Sequence, residues 1–218
     1  MRLLALRMGP AGPDVALLGG ASELVRRERP GARAEALAPL VAATSSEAGL
    51  CFADLEALAV ATGPGSFTAS RAAVAAVRAL ALATGLRVYP LSSLEVAAET
   101  VSEAEPGPLL VLAAAGRGTL VGQRFEAGAV PVGPPELLEP AVAIERARRA
   151  ERVVLVDLDE WAGPAARRVR TDAASLARAA AARAARGVPP LPGPAVRPLY
   201  LRPPDARPEA GRPLVTAG

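Results

Sequence analysis

Apolar positions along the chain recur with two different periods, and the switches between them mark out the elements. Residues 2–7, 14–18 and 22–28 are short strand-like runs, parted by Gly9-Pro10-Ala11-Gly12-Pro13 and closed by Pro30-Gly31. The period then becomes helical over 32–48, with Leu37, Leu40, Val41 and Thr44 on one side and Gly49 as the stop. Pro39 removes a hydrogen bond inside that helix, which predicts a kink or a short first turn. A strand at 57–62 and a helix at 71–84 follow, the helix striped by Ala73, Val74, Val77, Leu80 and Ala81. A strand at 87–91 leads into a helix that Ser92 or Ser93 caps. The order β-β-β-α-β-α-β-α predicts a mixed sheet: an antiparallel meander, then crossovers with helices on the faces.

Glu103-Ala104-Glu105-Pro106-Gly107-Pro108 interrupts the pattern and is the natural lobe boundary. Beyond it lie a hairpin of 109–113 with 120–125, a loop at 131–140, a basic helix at 141–150, a strand at 153–156 and an Ala/Arg helix at 173–186. Residues 196–202 are apolar enough to pin a proline-rich end to the body. The expected division is a first lobe over 1–105, a reduced second lobe over 106–190 and a tail over 191–218.

Composition narrows the chemistry. Of 218 residues 51% are hydrophobic but only 3% aromatic, so the core must be built from Leu, Val and Ala. All 25 basic residues are arginine, a bias expected of a GC-rich genome or of adaptation to heat. Histidine is absent, which excludes His-ligated metals, Ser–His–Asp triads and Cys–His pairs. The single cysteine, Cys51, allows no internal disulfide. With no signal-peptide pattern and no apolar run of about 18 residues, a cytoplasmic, membrane-free protein is expected. The net charge of +3 is uneven, and residues 146–218 hold most of the excess. Segments 146–152, 167–170 and 178–186 are therefore candidate RNA-phosphate contacts, or simply solvated helix faces.

The candidate site is the junction between the strand at 57–62 and the following helix. There Gly63, Pro64, Gly65, Ser66, Phe67 and Thr68, with Arg71 just beyond, form a glycine-rich turn whose amides suit an anion. The loop reads either as a weak phosphate pocket for ATP or ADP or as a rigid corner. No cofactor is firmly implied. Asp14 is the acid near the first hairpin, and Asp157 and Asp159 are the close pair of the second lobe, at a strand end that reads either as a metal site or as acids facing water; Ser66 has no base, and Cys51 no cationic neighbour.

The run GPGSFT followed by an arginine-bearing helix resembles the signature of the TsaB (YeaZ) family. The resemblance is tightest over 52–96, which includes Pro90-Leu91-Ser92-Ser93-Leu94. It returns at Pro198-Leu199-Tyr200-Leu201-Arg202-Pro203-Pro204-Asp205-Ala206. It implies an α/β, actin-like ATPase (ribonuclease H-like) fold of two lobes with mixed sheets flanked by helices. It also implies glycoprotease-family kinship and a noncatalytic role: docking on a TsaD-type catalytic subunit for N6-threonylcarbamoyladenosine (t6A) modification of tRNA. A TsaE-type ATPase would be a further partner, the chain alone would form a homodimer, and tRNA would be met indirectly, through the complex. The helical face expected at the interface carries Leu37, Val41, Thr44, Ala73, Ala76, Val77 and Leu80. Rival readings are a small phosphotransferase on the same fold and a direct tRNA-binding module. Where the family has Asp-Thr-Ser ending the first strand, this chain has Arg7-Met8-Gly9. An arginine there repels Mg²⁺ instead of binding it.

Overall fold

Three consecutive strands, β1 (Leu3–Gly9), β2 (Gly12–Gly19) and β3 (Glu23–Glu28), pair antiparallel and so form the meander that their spacing predicts. The computed structural model describes residues 1–9, 11–19, 23–116 and 118–201. After a 3-10 turn over Ala34–Ala36 comes α1 (Leu37–Ala48), with Pro39 in its first turn, where no intrahelical amide is needed. β4 (Ala57–Ala61), α2 (Phe67–Thr84), β5 (Val88–Leu91) and α3 (Ser93–Ala104) complete the first half. β4 and β5 run parallel to β1, which gives the sheet order β3-β2-β1-β4-β5.

The second half repeats the plan. β6 (Leu109–Gly116), β7 (Thr119–Glu126) and β8 (Val130–Leu138) form a meander, followed by α4 (Pro140–Arg149), β9 (Val153–Val156), β10 (Arg167–Val169) and α5 (Ala173–Ala185). The sheet order is β10-β9-β6-β7-β8, so the first-sheet topology recurs strand for strand. What is reduced is one crossover: residues 157–166 join β9 to β10 without a helix. Trp161, Leu158 and Ala166 from that stretch pack against the sheet face that α4 covers. Two lobes of mixed sheet flanked by helices, the second shortened, make this the actin-like ATPase fold.

β8 corrects the expectation of a loop at 131–140. Its Pro131, Pro134 and Pro135 lack amides, but β8 is an edge strand and only one of its sides must pair. The ladder to β7 shifts between Gly122 and Arg124, and the Gln123 side-chain amide donates to the Gly133 carbonyl across the irregularity at 2.9 Å.

The helices do not stay with their own lobes. α1 and α2 cover one face of the first sheet through Leu37, Leu40, Val41, Val74 and Val77. Its other face is covered by α5, which follows the second sheet in sequence, through Ala173, Leu176, Ala177 and Ala180. In return α3 leaves the first sheet and lays Leu94, Ala97 and Val101 on Val111, Phe125 and Val154 of the second. α3 and α5 also touch each other. The alanines of α5 let its backbone approach the sheet closely, so the two lobes interlock. Past α5, Leu191 bridges Val88, Gly193 fits under α2 and the fully buried Val196 joins the first core.

Candidate functional site at the lobe junction

The turn after β4 is held from both sides. The Ser93 amide donates to the Gly63 carbonyl at 2.7 Å, and the Leu199 amide to the Thr62 carbonyl at 2.9 Å. Gly63 has φ +118, in the region that favours glycine, and the Gly63–Pro64 bond is cis. Ser66 is the N-cap of α2, its hydroxyl accepting the Ala69 amide at 3.5 Å. Gly63, Pro64, Gly65 and Ser66 form one wall of a cleft of about 230 Å³ together with Ser70 and Ser93. Most of the remaining lining comes from the carboxyl ends of three further strands: Arg7, Met8 and Gly9 from β1, Ala113 and Ala114 from β6, Val156 and the adjoining Asp157 from β9. A crevice at the carboxyl ends of strands is where α/β folds place ligands. α2 opens at Phe67, and Thr68 and Arg71 lie on the exposed side of that helix.

Inside the cleft a cation already has its counter-charge. Arg7 Nη2 donates to Asp157 Oδ2 at 2.9 Å and to Thr171 Oγ1 at 3.1 Å. Thr171 in turn donates its hydroxyl to the same Oδ2 at 2.8 Å and its amide to Oδ1 at 3.3 Å. Beside this group Asp14, 1% exposed, takes a bidentate pair from Arg26 at 2.9 and 3.0 Å and the Ala173 amide at 2.8 Å. Burial raises the Asp14 carboxyl above its ordinary value, outweighing the Arg26 and Ala173 hydrogen bonds that pull it down. Burial also acts against Asp172, yet the backbone and hydroxyl of Ser175 with the Arg26 and Arg7 charges hold it below the usual range. Arg26 is itself raised by its bond to Asp14.

The residues present do not fit a magnesium nucleotide. The β1 position that should supply a carboxylate holds Arg7, and Asp157 is taken up by Arg7 and Thr171. Asp159 points elsewhere, accepting from Arg170 at 2.8 Å, so Asp157 and Asp159 do not form a metal pair. Among the described residues no three Cys, Asp or Glu side chains converge as a metal site would require. Cys51 is exposed and donates its thiol to Asp54, whose carboxyl is lowered by that bond and by the Cys51 amide.

The residues expected at an interface lie elsewhere. Leu37, Val41, Thr44, Ala73 and Val77 are all buried, because the apolar stripe that periodicity picks out is the one facing the chain's own sheet. Ala76 and Leu80 are half-buried at its margin. The outward side of α2 is Ala75, Arg78, Ala79, Leu82 and Ala83, with Leu82 86% exposed. The arginine-rich segments are extensively self-neutralised: Arg183 pairs with Glu95 and Glu99, Arg186 with Glu99, Arg146 with Glu136, Arg149 with Glu145 and Arg167 with Glu105. Sequence reasoning flagged Arg7 but missed Thr171 and Arg26, whose only signal is their place next to Asp157 and Asp14 in space.

Comparison with known proteins agrees with this architecture. Residues 31–133 match the family model described as TsaD: tRNA N6-adenosine threonylcarbamoyltransferase. An uncharacterised protein of Mycobacterium tuberculosis is 35% identical over 184 residues, which is 82% of this chain and 79% of the relative. A Pseudomonas aeruginosa protein described as similar to peptidase YeaZ superposes with a TM-score of 0.74 at 24% identity, covering 92% of this chain and 99% of that one. YeaZ of the same organism gives 0.73 at 22% identity with the same coverage.

Proposed function

The chain belongs to the TsaB (YeaZ) family, and we propose that within it the protein is a noncatalytic subunit that docks on a TsaD-type catalytic subunit and supports t6A modification of tRNA in the cytoplasm. The observation that carries this reading is the Arg7–Asp157 pair in the cleft. Phosphoryl transfer needs carboxylates free to hold a metal. Here a guanidinium and its partner acid use up that place, so what the chain offers is surface. The exposed side of α2, small except for Leu82, suits close packing against helices of another subunit. Alone, the same face pairs two copies of the chain. A TsaE-type ATPase joins the complex as a further partner, and tRNA is reached through it. No helix among the described residues is long and apolar enough to cross a membrane.

The test is co-purification with the TsaD-type subunit, comparing the native chain with Leu82→Arg. Retention of the native chain and loss of the variant are expected, with no phosphate release from ATP by the chain alone. Turnover by the isolated chain, or an intact complex with the variant, overturns the reading.

A further inference from the structure

We propose that Arg7 and Asp157 form a clasp that locks the two lobes at one angle with no ligand between them. Arg7 leaves β1 of the first sheet, and Asp157 follows β9 of the second, so the 2.9 Å contact spans the lobe junction. Each end is prepared for it. A Cβ at Gly9 would stand 2.6 Å from Arg7 Nη1, so the guanidinium folds over this residue and a side chain there would push it from its seat. Asp157 adopts φ +47, a region L residues rarely enter, and Thr171 aims its carboxylate with both amide and hydroxyl. Arg7 is 13% and Asp157 23% exposed, so their attraction is only partly screened by water. Immediately beyond Thr171, Asp14 and Arg26 of the first lobe grip the first turn of α5 through Ala173 and Asp172. In hinged two-lobed proteins, ligand contacts draw the lobes together. In this chain a side chain supplies that contact permanently. The inference concerns the shape of the chain and does not depend on its docking role.

Hydrogen exchange on the full chain tests it, read at the amides of Asp157 and Thr171. Arg7→Met removes the charge, and Gly9→Val keeps both charges but denies the guanidinium its seat. Both variants should exchange these two amides about tenfold faster, while amides of β6 and β7 keep their protection. Salt at about 1 M, where the screening length is about 3 Å, should speed the same amides in the native chain and not in Arg7→Met. Unchanged rates at Asp157 and Thr171 in Gly9→Val, or acceleration spread evenly over both sheets, overturn the clasp. If Arg7→Met does not fold, Gly9→Val and the salt response of the native chain decide.

Discussion

The carboxylate of Asp14 accepts the backbone amide of Ala173 at 2.8 Å, although the two residues are 159 apart in sequence. Asp14 belongs to the first sheet, and Ala173 begins the helix that crosses from the second lobe to cover it. That bond ties the start of α5 to the sheet the helix covers.

Asp14→Ala should lower stability by about 3 kcal/mol, the low end for breaking a buried pair, because Arg26 is one-third exposed and turns to water. Urea unfolding at constant m-value is the measurement. A loss below about 0.5 kcal/mol would mean that α5 is positioned by its alanine packing alone.

The two carboxylates that flank α5 should respond to acid with opposite signs. Burial raises Asp14 in the folded state, so its contribution is present in acid and is lost as pH rises through the raised value. Asp172 is lowered, so its contribution is present above the ordinary carboxylate range and is lost as pH falls through the lowered value. Relative to native, Asp172→Asn should therefore flatten the acid-side fall in Tm, and Asp14→Asn should steepen it. Thermal melts across the acid range read both.

A charge on the outer face of α2 should separate docking from folding. Leu82→Arg is 86% exposed in the chain alone and should change its stability by no more than about 0.5 kcal/mol, while abolishing capture of the catalytic subunit. Val77→Asp is no substitute test: Val77 is fully buried, so an unpaired charge there unfolds the first core.

The segment after α5 should behave as part of the core. Val196→Ala deletes methyls from a fully buried site and should cost about 2 kcal/mol. Gly193→Val should be comparably damaging, since a Cβ there would sit 2.7 Å from that of Ala81. Chemical denaturation of each variant checks the pair, and native-like midpoints in both would show that the segment merely rests on α2.

Calorimetry should find that Mg²⁺ gives ATP no gain in affinity for this chain, since Arg7 and Asp157 already satisfy each other. Tight binding that requires Mg²⁺ would mean the pair opens to admit the metal.

Much of the fold is legible in the sequence because local signals agree with it. Glycines at 49 and 85 end α1 and α2 in left-handed caps, and Ser92 with Glu95 forms the capping box of α3. The turn at 63–66 is visible for the same reason. β8 is hidden by its prolines, because a strand at an edge tolerates what a central strand does not. The exchange of α3 and α5 is hidden differently: an apolar stripe says that a helix face is covered, never by which sheet. The same limit applies to the stripe of Val41 and Val77, which is conspicuous because it is core and so does not mark an exposed face. Arg7 stands out as a departure from the family motif, but its partner lies 150 residues away, beyond any periodic signal. Arg202 and the rest of the closing signature, 203–206, lie outside the described residues.

The missing crossover in the second lobe has a spectroscopic consequence. The chain's sole tryptophan, Trp161, donates its indole N–H to the Pro164 carbonyl, and its ring leaves no room for a side chain at Gly163. It therefore sits where a helix would otherwise screen the sheet, packed beside α4. Tryptophan emission, excited beyond the tyrosine band, thus reports the surroundings of one lobe alone, and its melting curve set against that of the whole backbone tells whether this lobe loosens first, without attaching a label.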